Sequence, residues 1–349
     1  STFLYSRRSY WRQLFFFFFK KNNDIPLEMK IADLIGNSPQ TIIKDQTSKA
    51  SFKQIVYDKK EIKKNIEKIF QLESVGSKDW LTNKVDRCVT GKVAQQQCVG
   101  ELQLPLSNCG VMALDYNGKN GVATSVGHSP LAGLIDPKIG SINSVAKSLT
   151  NIIWAPLEKG LESVSLSANW MWPCKNKGED DRLYKAVEAC SNFAINLGIN
   201  IPTGKDSLSM TQKYDERDVL CPGTVIISAA GNCSDINNII SPVLNKNGGD
   251  IYYIDMSNDS FYLGGSAFAQ IHKSIGKNAP TIKDDLYFKK AFNIIQKLIN
   301  DKKISAGHDI GSGGLITTLM EMCFPSLNIG MDLDLDYLEE KDTSKLFFS

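Results

Sequence analysis

The sequence has only three histidines, His128, His272 and His308, and none stands near a cysteine pair. Its eight cysteines, Cys88, Cys98, Cys109, Cys174, Cys190, Cys221, Cys233 and Cys323, form no CxxC spacing. That excludes a zinc ribbon or finger, whose ligands must be close in sequence on at least one side. Most of the thiols stand in apolar surroundings and read as reduced core residues, which predicts a cytoplasmic protein. No nucleophilic triad is visible, and no Cys/His pair suggests a glutaminase site. The apolar run Leu14–Phe19 is six residues, far short of the roughly 20 a membrane helix needs. The net charge is +2, so no strong field draws the chain to nucleic acid or to a membrane. A Walker loop, an internal repeat and a secretory cleavage site are absent as well.

What remains is an ordinary globular composition, 42% hydrophobic and 22% charged over 349 residues. That length accommodates two domains with a core each. Residues 1–24 start without Met and carry five consecutive Phe. They read as a non-native lead, a fragment end or misread coding sequence, with a targeting peptide as the lesser reading. Residues 25–84 read as connector helices, one over IPLEMKIADLIG closed by Gly36 and one over Lys59–Phe70.

The first domain is expected over 85–236. Gly110–Asp115 and Gly121–Gly127 read as strands joined by an Asn-Gly hairpin. Ile142–Ile153 and Asp181–Leu197 read as amphipathic helices. Val164–Ala168 reads as a strand, and Thr224–Ala230, a continuous apolar run, as a central one. Strands alternating with helices make an α/β or α+β sandwich. A linker is expected over 237–250, around Lys246-Asn247-Gly248-Gly249, and a second domain over 251–349. In it Ile251–Ile254 and Met331–Leu335 read as strands, and Leu286–Lys303 as a helix. The chain stops soon after that last strand begins, so this second domain reads as cut short.

Ile304–Met322 carries the strongest local pattern. The run Ile304–Ala306 reads as a strand, Gly311-Ser312-Gly313-Gly314 as a turn, and Leu315–Cys323 as a helix. Such a unit presents backbone N–H groups to an anion, and Asp309 beside it can hold Mg²⁺ against the same phosphate. The bland alternative is a tight turn whose glycines only permit positive φ. Lys147 and Asn151 stand at i and i+4 on one helix face, where both can meet one ligand. Ser107 and Asn108 lead into a strand that can approach the same place. A solvated helix face is the competing reading. Lys205, in the loop Gly204-Lys205-Asp206-Ser207, can neutralise a phosphate or form a surface ion pair. The pair Trp170 and Trp172 reads as core or interface packing before it reads as a base-stacking platform.

Several motifs in order carry a resemblance. The run Asp86–Gly91 (DRCVTG), the block Ser165–Met171 with Gly178-Glu179-Asp180, the loop Gly204–Met210 (GKDSLSM) and His308-Asp309 through Gly313-Gly314-Leu315 resemble the phosphoribosylformylglycinamidine synthase family. The likeness runs over roughly residues 25–349 and matches the second half of that family's synthetase region. It implies an N-terminal domain like aminoimidazole ribonucleotide synthetase and a truncated C-terminal α/β sandwich domain. It also implies an ATP- and glutamine-dependent ligase that converts formylglycinamide ribonucleotide to its amidine in purine biosynthesis. The partners implied are the first synthetase half and the glutaminase domain, both outside this chain, so the fragment alone is expected to be inactive.

In the large form of the family, the second copy keeps ATP or ADP with Mg²⁺ at an auxiliary site. By resemblance, Asn108, Asn151 and Asp309 are the metal positions, and Ser107, Lys147, Gly311 and Lys205 the nucleotide positions. Two departures weaken the metal. Asn108 stands for an Asp, and Lys147 for a Glu, so a positive charge faces the place where Mg²⁺ sits. Gly311, in HDIGSGG, stands for a phosphate-contacting Ser. Lys147 can then replace the metal as counter-charge. Two other readings stand beside this one. The chain is a non-catalytic scaffold half with a vestigial site, or a free-standing ATP-dependent synthetase or kinase of the same superfamily.

Overall fold

The computed structural model describes residues 15–18, 27–36, 42–48, 50–82, 87 and 91–349. The chain forms two compact units, Ser1–Lys44 and Asp45–Ser349. In the first, β1 (Phe15–Phe18) pairs antiparallel with β2 (Leu27–Lys30), which runs into α1 (Ile31–Ile35). Gly36, at φ 67°, ends the helix as its spacing predicts. The single helix expected over IPLEMKIADLIG is a strand and then a helix. A run of Phe offers a β-prone partner, and pairing overrides a weak helical propensity.

The second unit opens with α2 (Ile62–Ile69) and α3 (Asp79–Thr82). The following motif Asp86–Gly91 lies largely outside the described residues. Then come β3 (Val93–Gln95), β4 (Gly110–Ala113), β5 (Gly121–Gly127), α4 (Pro130–Ile135) and α5 (Pro137–Ile152). They are followed by β6 (Val164–Met171), α6 (Glu179–Leu197), β7 (Asn200–Ser207), β8 (Thr211–Lys213), β9 (Asp218–Leu220) and β10 (Thr224–Cys233). The remaining helices are α7 (Ala267–Ile271), α8 (Asp285–Asn300), α9 (Gly314–Cys323) and α10 (Thr343–Phe348).

Six strands form one sheet in the order β3-β4-β5-β10-β6-β7. The Asn-Gly hairpin forms as read, with Ala113 opposite Gly121. The apolar run 224–230 lies in β10, which is interior and pairs antiparallel with β5 and β6. Only β6 and β7 are parallel, joined through α6; a parallel pair needs such a crossover. On α5, Val145, Leu149 and Ile152 are fully buried, and so are Ser144 and Ser148. The serines satisfy themselves by bonding back along the helix, Ser144 to the Gly140 carbonyl at 2.8 Å and Ser148 to that of Val145 at 2.8 Å. Small residues on this stripe let the helix lie against Gly127 of β5, where any Cβ would overlap Ser144 and Ser148. Asp136 caps α5 through the Lys138 N–H at 2.8 Å, with Pro137 in the first turn, so the helix starts before Ile142.

The main core joins the sheet, α5, α6 and the buried face of α8, namely Phe288, Phe292, Ile295 and Ile299. A second cluster joins Ile69 of α2, Phe268 of α7 and Phe348 of α10. The Trp pair follows the packing reading. Trp172 is buried and its ring covers Gly223, while Trp170 tilts against it with centroids 6.4 Å apart.

Four local expectations are corrected. Ile251–Ile254 and Met331–Leu335 are not strands. Each is β-prone, but a strand needs a neighbour to hydrogen-bond, and the described residues place none beside them. Ile304–Ala306 is also irregular. The chain there bonds to a loop instead, with the Gly307 N–H donating to the Ser241 carbonyl at 3.0 Å. The supposed loop Gly204–Ser207 is the end of β7, with Gly204 opposite Ala168 and Lys205 opposite Asn169. A Cβ at Gly204 would overlap the Ala168 carbonyl, so that glycine serves a close strand approach and not a turn.

Candidate functional site

Lys147 and Asn151 share the α5 stripe, yet their side chains do different things. The Asn151 amide donates to the Val126 carbonyl of β5 at 3.0 Å, which ties it to the sheet. Lys147 lines a cavity of about 1640 Å³, together with His128, Trp154, Asp309, Gly311 and Ser312. Among the described residues the Lys147 ammonium has no hydrogen-bond or ion-pair partner. Desolvation and then the Lys147 charge hold the His128 imidazole below its ordinary value.

Asp309 is fixed by a network that crosses the chain. Asn108, with its amide turned to match its neighbours, donates to Asp309 Oδ1 at 3.0 Å. Its carbonyl oxygen accepts the Trp154 indole N–H at 3.0 Å, and its nitrogen lies 2.7 Å from His308 Nδ1. His308 Nε2 then donates to Glu321 Oε2 of α9 at 2.9 Å. The His308 side chain is only 8% exposed and that of Asp309 9%. Thr318 of α9 bonds back to the Asp309 carbonyl at 3.1 Å. Gly307 lies flat on the Trp154 ring, where any side chain would overlap it. The sequence sets His308 beside Asp309 in one motif but gives no sign of Trp154 or Glu321. Their roles depend on partners far away along the chain, which no spacing encodes.

The other expected residues stand apart. The Ser107 hydroxyl accepts from Gln95 Nε2 at 2.9 Å and donates to the Cys109 carbonyl at 3.0 Å, so it serves the sheet edge. Lys205 is exposed on β7 and donates to Ser207 Oγ at 2.9 Å. Neither lines the cavity. Of the seven expected positions, the structure gathers Lys147, Asp309 and Gly311 on the cavity wall, with Asn108 directly behind Asp309.

Residues 77–232 match the FGAR-AT PurM_N-like domain, and residues 259–348 match the AIR synthase related protein, C-terminal domain. A probable phosphoribosylformylglycinamidine synthase, chloroplastic/mitochondrial, of Arabidopsis thaliana is 43% identical over 272 residues, covering 77% of this chain and 19% of that protein. The Homo sapiens phosphoribosylformylglycinamidine synthase is 40% identical over 272 residues, 77% of this chain and 20% of that protein. The chain belongs to the phosphoribosylformylglycinamidine synthase family. It spans about a fifth of the length of these curated relatives. T. maritima PurL complexed with FGAR shares the fold, with a TM-score of 0.51 at 14% identity, covering 75% of this chain and 38% of that one.

The family likeness implies a magnesium ion, and the residues of this synthase segment do not fit one. Mg²⁺ requires near-octahedral oxygen ligands at about 2.0–2.1 Å, one or two of them carboxylates. Here Asp309 is the only carboxylate among the expected positions, and its Oδ1 already accepts an N–H from Asn108. The Asn108 oxygen is engaged by Trp154. Asn151 is tied to β5, and Lys147 brings a cation to the same wall. Among the described residues no group of three His, Cys, Asp or Glu is spaced to hold a metal.

Proposed function

We propose that this chain is the second synthetase copy of a phosphoribosylformylglycinamidine synthase, and that its cavity holds an adenine nucleotide as an auxiliary, non-turnover ligand. The observation that carries the reading is the meeting of Lys147, from the first matched domain, with Asp309 and Gly311, from the second, on one cavity wall. A cleft between two domains that offers an unpaired cation is suited to an anionic ligand. The enzyme so assembled is an ATP-dependent carbon–nitrogen ligase with glutamine as amide donor, acting on formylglycinamide ribonucleotide. Chemistry belongs to the first synthetase copy and ammonia supply to a glutaminase domain, neither of which this chain contributes. Nucleic acid and membrane have no part in it. Among the described residues no helix is long and apolar enough to cross a membrane. The described cysteines are all free, which suits a reducing compartment such as the cytoplasm.

One observation favours a second reading, a scaffold half with a vestigial site: the Asn108 oxygen and Asp309 Oδ1 are engaged by protein N–H groups. A free-standing synthetase or kinase is disfavoured, because the glycine-rich, carboxylate-dense N-terminal motifs of such enzymes are absent from the sequence.

Isothermal titration of ADP into the 349-residue chain, paired with a glutamine-dependent ATP hydrolysis assay, separates the three. We expect ADP binding and no hydrolysis. Hydrolysis by the chain alone establishes the free-standing enzyme, and absence of ADP binding establishes the scaffold.

A further inference from the structure

An ammonium and a divalent cation make opposite demands on their surroundings. A metal needs free oxygen lone pairs converging on one point, whereas an ammonium needs only an acceptor to reach. This cavity meets the second condition and not the first. Lys147 stands partly buried on the wall with no partner among the described residues. The Asn108 oxygen and Asp309 Oδ1, two of the oxygens a metal would use, face N–H groups of the protein.

Gly311 stands beside Lys147 on the same wall. Gly311 has no side chain, and a Cβ built there would lie 3.6 Å from Lys147 Nζ. That is ordinary van der Waals contact, so the Gly311 backbone lies close to the ammonium. The backbone N–H groups of Gly311, Ser312 and Gly313 have no acceptor among the described residues. Gly311 and Ser312 line the cavity together with Lys147, so these donors and its charge border the same space.

We propose that this site binds the phosphates of an adenine nucleotide without a divalent cation, with the Lys147 ammonium taking the place of the metal. The proposal rests on the nucleotide reading above and adds the identity of the counter-charge. Asp309 is then a structural acceptor for Asn108 and not a metal ligand. Magnesium is no help to binding here, because it competes with Lys147 for the phosphate oxygens and, among the described residues, meets no group of three His, Cys, Asp or Glu placed to hold it.

Titration of ADP into the full chain, once in EDTA and once in excess MgCl₂, tests this directly. We expect binding at least as tight in EDTA as in MgCl₂. Lys147→Ala is expected to weaken binding by about tenfold or more in both buffers, the loss of one charge-assisted contact, while Lys147→Arg retains it. Lys147→Glu is expected to abolish binding in EDTA. Thermal melts of each variant separate a lost contact from a lost fold, since Lys147 is only partly buried. Wild-type binding that disappears in EDTA overturns the proposal, and so does a folded Lys147→Ala chain that binds ADP like wild type. No ADP binding in either buffer overturns the nucleotide reading itself.

Discussion

Gln296 Oε1 accepts the backbone N–H of Leu157 at 2.8 Å, and the Gln296 amide nitrogen donates to the carbonyls of Ile153 and Ala155. One buried side chain, 3% exposed, thereby satisfies three backbone groups just after α5. It fastens α8 into the main core from about 140 residues away, as the separations of 139 and 141 residues show. Buried backbone groups must find partners, and here a side chain provides them.

Gln296→Ala strands those groups and leaves a void. We expect it to cost about 2–4 kcal/mol in urea unfolding. Gln296→Glu keeps the volume but turns a donor into an acceptor facing two carbonyls, so it is expected to destabilise as much, and less so at low pH where the carboxyl can protonate. A Gln296→Glu chain as stable as wild type at neutral pH contradicts the assignment.

Asp342 joins the second cluster. It accepts from the Tyr57 hydroxyl at 2.9 Å, pairs with Lys59 at 2.9 Å and caps α10 through the Ser344 N–H at 3.1 Å. Burial pushes its carboxyl up, but the bonds from Lys59, Tyr57 and Ser344 outweigh that and hold it below the usual value. Burial, then the Asp342 contact, raises the Tyr57 phenol well above its ordinary value. Tyr57→Phe is expected to cost about 1 kcal/mol, with Asp342→Ala costing more. Their combined effect is expected to fall short of the sum, because the two share one bond.

Gly127→Ala should separate α5 from β5, since the added methyl meets helix backbone on both sides. The helix cannot yield without disturbing Val145 and Leu149 beneath it. A loss of about 3 kcal/mol is expected, read as a lower urea midpoint. Gly248→Ala, with no atom near its Cβ but a φ of +77°, is expected to cost about 1 kcal/mol through backbone conformation alone.

The Asp45 carboxylate caps α6 from a distance, accepting the N–H groups of Gly178 at 3.0 Å, Asp180 at 3.1 Å and Asp181 at 3.3 Å. The Gly178 bond, above all, holds the Asp45 carboxyl pKa below its ordinary value. A carboxyl depressed in the folded state stabilises above its unfolded value, near about pH 4, and that contribution fades as pH falls through the folded one. Asp45→Asn is therefore expected to lower the melting temperature at neutral pH and to make little difference in strong acid. Faster amide exchange at Gly178, Asp180 and Asp181 in that variant would confirm where the loss occurs.

Much of the first domain was legible in the chain. The Asn-Gly hairpin, the two amphipathic helices with Gly198 at the end of α6, and the interior strand Thr224–Ala230 follow from period and turn chemistry. The family likeness was legible too, because its motifs are contiguous words such as GKDSLSM and HDIGSGG. The site was legible only in part. Lys147, Asp309 and Gly311 could be named from sequence, while the roles of Trp154 and Glu321 could not.

What the sequence alone determined are the features set by neighbours along the chain: helical faces, turns, caps and family words. Tertiary structure decided the rest. It left Ile251–Ile254 without a strand for want of a partner, and drew Gly204 into β7 because only a glycine can pass the Ala168 carbonyl. It also joined Asn108 to His308 across 200 residues. That contact turns the expected metal position into a hydrogen-bond hub, while Lys147 stands on the cavity wall without a partner among the described residues. A hydrogen-bond partner so distant leaves no periodic trace, because it is chosen by packing and not by spacing.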